Sequence, residues 1–157
     1  MTRQVTRLLS LAALALLFVA ASPTAPVVDE LSEKGAKAAV YAFFDAMRAS
    51  DGEAMRALFI EDATLTSVGT GKDGKPFFRR TPNEDFVKAV GKRKEQVWDE
   101  QISKVRVQLN GNLASVWMDY KFYLGEALHH CGINVFTLFY DGAKWRVLNI
   151  ADTRNDC

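Results

Sequence analysis

The chain of 157 residues carries 20 Lys and Arg against 19 Asp and Glu, for a formal net charge of +1, and 48% of its residues are hydrophobic. This is an ordinary globular composition, long enough for one domain with its own core. A charge so close to neutral gives no electrostatic reason to bind nucleic acid or an acidic membrane surface.

The N-terminus reads as a secretory signal peptide over residues 1–21. Arg3 and Arg7 supply the positive start, Leu8 to Ala20 the apolar run, and Val19 and Ala21 the small-residue cleavage pattern. The run is about 13 residues, short of the ~20 that a spanning helix needs; the alternative is an uncleaved anchor. Residues 22–31 follow as a proline-containing linker, and 32–157 as the domain. The expected location is periplasmic or secreted, with no membrane contact after cleavage. Loss of Arg3 and Arg7 takes the formal charge from +1 to −1.

Glu33 to Ala49 places apolar residues at 36, 39, 40, 43, 44 and 47, the spacing of a one-faced helix with Ser32 as N-cap. Tyr41 falls on the flank of that stripe, either at the core edge or reaching a cavity. Ser50 and Glu53 have capping-box spacing, predicting a short helix over 53–59. Ala63 to Val68 alternates as a strand, Gly69 to Pro76 is a hairpin turn, and Phe77 to Arg80 returns. Thr81-Pro82-Asn83-Glu84 predicts a helix start, with Thr81 as cap and Pro82 at the first turn; the helix ends near Gly91. Lys92 to Glu95 reads as an exposed connector.

From Val97 the period becomes two. Ile102, Val105, Val107 and Leu109 alternate with one slip, as a bulge would produce. Asn110-Gly111-Asn112 turns the chain. In Leu113 to Tyr123, one face holds Ala114, Val116, Met118, Tyr120 and Phe122, and the other Trp117, Asp119, Lys121 and Tyr123. Leu124 to Leu128 is the expected loop, and Cys131–Tyr140 and Lys144–Ala151 the final hairpin. Helices first and antiparallel strands after predict an α+β fold, with helices on one face of a curved sheet. The two cysteines, Cys131 and Cys157, leave a bridge or free thiols open. If Tyr140 faces Ala143, Cys131 faces Asp152, and the tail must curl back to close a bridge.

Asp51 to Ala63 (DGEAMRALFIEDA) resembles the second-helix signature of the nuclear transport factor 2-like superfamily, which includes ketosteroid isomerase and SnoaL-like polyketide cyclases. The C-terminal half is similar to its lumazine-binding-like or SnoaL-like bacterial branch through NLASVW (112–117), YKFY (120–123), HCGINVF (130–136), GAKWRV (142–147) and IADTR (150–154). The resemblance implies a cone-shaped curved antiparallel sheet, with N-terminal helices packed on its concave face around a pocket. It also implies a homodimer through the sheet, which an exposed set of Trp117, Asp119 and Tyr123 would suit. The base, tyrosine and protonated aspartate of ketosteroid isomerase match no motif here.

His129 and His130 begin a strand at the expected pocket rim. Neighbours in a strand face opposite ways, so one histidine is expected inside. His130 is chosen, because the resemblance runs through it; Asp119, Glu126 or Asp152 are its candidate orienting acids. A metal site from His129, His130, Cys131 and Asp152 is set aside, since adjacent ligands on opposite faces make poor tetrahedral geometry. Asp152 and Arg154 share a face and are expected to pair with each other or with a neighbouring strand rather than serve the pocket. Trp98, Tyr120, Phe136 and Trp145 are expected mainly in the core, with one or two of them lining the cavity to stack on a flat ligand.

The expected function is binding of a small organic molecule without a cofactor, through Tyr41, Tyr120, His130, Asn134 and Phe136. The enzyme alternative is a cofactor-free isomerase, cyclase or lyase, with His130 or a carboxylate as catalytic base and a tyrosine as oxyanion donor. It requires an ionisable group of shifted pKa in the cavity, with a polar partner within about 3 Å. A collapsed, purely structural pocket is the third reading.

Overall fold

The computed structural model describes residues 30–92 and 94–157; the expected signal segment and nearly all of the expected linker lie outside them. Helix α1 (Glu33–Ala49) forms as its spacing predicts and buries Ala36, Ala39, Val40, Phe43, Phe44 and Met47. Ser32 accepts from the Gly35 N–H at 3.0 Å, satisfying one of the donors that a helix start leaves unpaired.

Ser50 is not the cap of the second helix. It sits in the left-handed region (φ 55) and closes α1, its N–H on the Ala46 and Met47 carbonyls. Asp51 caps instead, accepting from Ala54 N at 2.9 Å. Helix α2 (Gly52–Arg56) is shorter than expected. The sheet claims the residues beyond it: Val147 N donates to the Leu58 carbonyl at 2.7 Å, and Phe59 opens β1 (Phe59–Thr70).

Strand β2 (Pro76–Pro82) runs into helix α3 (Asn83–Gly91), with Pro82 in the cap position rather than the first turn. Thr81 therefore lies in the strand, and no side chain caps α3 through the usual bond. Asn83 anchors the junction by donating to the Ile60 carbonyl at 3.1 Å. The expected exposed connector is partly drawn in. Lys94 donates to the Val90 carbonyl at 2.6 Å and lies 4.4 Å from the Trp98 ring centroid; burial pushes its pKa down.

Four strands complete the chain: β3 (Trp98–Asn110), β4 (Leu113–Leu124), β5 (Ala127–Tyr140) and β6 (Trp145–Thr153). They join one six-stranded sheet in the order β2-β1-β6-β5-β4-β3. All pairings are antiparallel except β1 with β6. The slip expected in β3 is a bulge between Ser103 and Arg106, with Lys104 at φ 51. The link from β4 to β5 is shorter than expected, just Gly125 and Glu126. In the last hairpin Tyr140 faces Trp145, and an irregularity at Thr137/Leu138 shifts the register again. Asn134, not Cys131, therefore faces Asp152, and Cys131 faces Asn155.

The fold is the expected α+β cone: a curled sheet with the helices on its concave face. Phe43 joins the layers, its ring 5.1 Å from Phe136, 5.6 Å from Phe86 and 5.3 Å from Phe44. Such pairs add roughly 0.5–1.5 kcal/mol each beyond area burial. Trp145 is buried in the core, as expected.

Candidate functional site

Between α1, α3 and the inner sheet face lies a cavity of about 510 Å³. Its apolar wall comes from Phe43, Phe44, Phe86, Trp98, Phe122 and Phe136. Its polar side carries Glu100, Tyr120, Asn134 and Asp152, with His129, His130, Arg79 and Arg154 also on the lining. A wider depression of about 810 Å³ where α2 meets α3 presents Asp51, Arg56, Lys88 and Lys92; it lies outside the sheet interior and gathers none of these groups.

Four of the five expected ligand contacts line the cavity: Tyr120, His130, Asn134 and Phe136. Tyr41 does not. It is 46% exposed, because the stripe at 36, 40, 43, 44 and 47 turns the opposite flank of α1 inward. Trp98 is half-buried and also lines the cavity, so three of the four aromatics do so where one or two were expected. Asp152 and Arg154 do pair, at 3.4 Å, but both also line the cavity, because the register shift brings the end of β6 alongside Tyr120 and Asn134.

The decisive residue is one that the sequence reading passed over. Glu100 pairs across the sheet with Phe122, which pairs with His130. Its signal was present: Glu100 stands in phase with Trp98 and Ile102, a carboxylate on the apolar side of an alternating strand. Asn134 donates to Glu100 Oε1 at 2.5 Å. Burial raises the Glu100 pKa to about 7, against the Asn134 hydrogen bond, which lowers it. The group therefore carries its proton about half the time near neutrality.

Both histidines line the cavity, against the expectation of one. Phe122 pairs with His130 while Tyr123 pairs with Leu128, so His129 is an extra residue in β5. A bulge of this kind breaks the alternation of faces. The two Nδ1 atoms are 2.8 Å apart, so one nitrogen must lack a proton. Burial lowers the His130 pKa to about 4, helped by the nearby Arg154 and His129 charges. His130 is thus a neutral imidazole at pH 7. Its ring contacts Phe122 at 4.9 Å and Tyr120 at 5.6 Å.

Tyr120 is 3% exposed and donates to the Thr153 carbonyl at 2.8 Å. Burial first, then the Asp152 and Glu100 charges, push its phenol well above the ordinary value, so it keeps its proton. That proton is shared between the Thr153 carbonyl and, at 3.4 Å, Asp152 Oδ2, so Tyr120 would have to leave both to serve as an oxyanion donor. Asn134 has a second amide hydrogen beyond the one given to Glu100, and is the better-placed donor. Asp152 is held by Ser67 Oγ at 2.6 Å. Asp119 and Glu126 do not line the cavity; Asp119 instead pairs with Lys104 at 2.6 Å.

The sequence profile of the family described as "Putative lumazine-binding" matches residues 32–151. No curated protein matches the chain. Among solved structures, an "ntf2-like protein of unknown function" from Shewanella baltica is 18% identical, with 76% of this chain and 90% of that one covered and a TM-score of 0.56. The "beta subunit of a putative aromatic-ring-hydroxylating dioxygenase" from Novosphingobium aromaticivorans is 16% identical over 78% and 88%, at 0.63. A "putative dehydratase from the NTF2-like family" from Streptomyces avermitilis is 14% identical over 78% and 94%, at 0.59. At these identities the structures share the fold and establish nothing finer. The helices laid in a curled six-stranded sheet and the profile match across most of the chain make it a member of the lumazine-binding-like family, within the nuclear transport factor 2-like superfamily.

Proposed function

We propose that the protein binds a small, flat, mostly apolar organic molecule in the cavity, with its polar edge against Glu100 and Asn134. One observation carries this: an aromatic wall faces a single paired carboxyl–amide group across about 510 Å³. Rings on the wall supply stacking area, and the polar pair fixes orientation. The test is native mass spectrometry of protein purified from its own host. A retained small molecule in the wild type, lost in Ala89→Trp, which fills the cavity, is the expected result. An empty wild type that also shows no thermal shift with aromatic heterocycles and cyclic ketones sinks the idea.

A second reading is favoured by Glu100 specifically. A carboxyl poised near pH 7 suits proton transfer at a carbon next to a carbonyl, as in a cofactor-free isomerase, cyclase or lyase. Glu100 takes the proton, the second Asn134 N–H supports the developing oxyanion, and neutral His130 is a second proton acceptor. The structure named a "putative dehydratase" shares this fold. Glu100→Gln is expected to keep ligand affinity and to lower turnover at least 100-fold; equal turnover rules this role out.

We further propose export, resting on the N-terminal pattern at residues 1–21, and self-association through the outer sheet face, resting on Trp117, which is 43% exposed. N-terminal sequencing of secreted protein tests the first. Sedimentation of wild type and Trp117→Asp tests the second; a monomeric wild type at tens of micromolar disproves it.

A further inference from the structure

Arg154 of the C-terminal tail lines one side of the cavity, while Asn155 and Asp156 lie beside Cys131 in a separate depression. Thr153 takes the Tyr120 hydroxyl on its carbonyl and accepts from Ile133 N on its Oγ1 at 2.9 Å. Arg154 N donates to the Val68 carbonyl at 3.1 Å, tying the tail to β1. Beyond it, Asn155 and Cys131 exchange two backbone hydrogen bonds, at 2.9 and 3.2 Å. This pairing places Cys157 two residues past the partner of Cys131. Both thiols are free, and the neighbouring Cys131 thiol is the main influence raising the Cys157 pKa. Cys131 is half-buried and Cys157 exposed. Lys121, the cross-strand partner of Cys131, and Asp156 are the charged neighbours of the pair.

We propose that Cys131 and Cys157 form an intrachain disulfide that straps the tail to β5 and fixes the Asp152–Arg154 side of the cavity. The oxidant is a low-molecular-weight disulfide. The Cys157 thiolate attacks one of its sulfurs, forming a mixed disulfide and releasing one thiol. The Cys131 thiolate then attacks Cys157 Sγ, forming the Sγ–Sγ bond and expelling the second thiol. The protein loses two electrons and two protons, and the reagent disulfide is reduced to two thiols. The bridge limits the unfolded chain and stabilises the fold. This stands independently of which molecule the cavity holds.

The test uses the full chain and oxidised glutathione. Intact mass is expected to fall by about two hydrogen masses relative to the dithiothreitol-reduced protein, with one Cys131–Cys157 peptide on digestion. Oxidised wild type is expected to melt roughly 5–10 °C above reduced wild type, a difference absent in Cys157→Ser. Amide exchange at Thr153 and Arg154 is expected to slow on oxidation. Stable glutathione adducts on both cysteines, a disulfide-linked dimer, or a bridge that leaves melting and exchange unchanged would each overturn the proposal.

Discussion

Glu100 and His130 lie on one cross-strand row and are perturbed in ways that oppose each other with pH. Glu100 rises from 4.5 to about 7. The folded state therefore holds its proton more tightly than the unfolded chain does, and this contribution to stability is lost as pH rises from 4.5 through 7. His130 falls from 6.5 to about 4. The unfolded chain then binds the proton more tightly, and this contribution is lost as pH falls from 6.5 through 4. Across the shared window the two slopes largely cancel. Wild-type stability is expected to be nearly flat there, whereas Glu100→Gln should gain stability with rising pH and His130→Asn should lose it. The Glu100 part is on the order of 3 kcal/mol. Urea denaturation of the three proteins at pH 4.5, 5.5, 6.5 and 7.5 checks this; parallel curves would remove the claim that both groups are perturbed.

At the scale of elements, the close meeting of β5 with the end of β6 sets the site. A Cβ added to Gly132 would lie 2.0 Å from the Thr153 carbonyl oxygen. Backbone cannot yield as a side-chain tip can, so Gly132→Ala is expected to cost about 2–3 kcal/mol. It should also loosen the contacts that Thr153 makes with Tyr120 and Ile133, visible as faster amide exchange at Ile133, which donates to Thr153 Oγ1. Gly111→Ala, at a turn with open space around it, is the contrast: its cost comes from φ 57 alone and is expected near 1 kcal/mol. Equal effects at the two glycines would contradict the close-approach argument.

For the whole molecule, the aromatic cluster around Phe43 is both core and cavity wall. Phe136 is fully buried, so Phe136→Ala is expected to cost about 3–5 kcal/mol, a large share of the ~5–15 kcal/mol that holds a domain together. Phe136→Leu should keep the fold at under about 1.5 kcal/mol and weaken any stacked ligand. The urea midpoint and ligand affinity, measured together, separate the two roles.

Sequence alone carried the helix α1, the alternation of β3 to β6, the bulge in β3 and the family. The elements are read from periodicities within single segments, and the family from short motifs along the chain. It also named four of the five cavity residues it sought, since the inner face of β4 and β5 follows from alternation. Tertiary structure decided the rest. The parallel contact of β1 with β6 joins ends of the chain more than eighty residues apart. The β5 bulge brought in both histidines, and the shifted hairpin register brought Asp152 and Arg154 to the cavity and Asn155 to Cys131. Bulges and register are fixed by packing between strands, not by the pattern within one. Glu100 belongs to both accounts: its phase with Trp98 and Ile102 is in the sequence, but its raised pKa exists only because folding withdraws it from water.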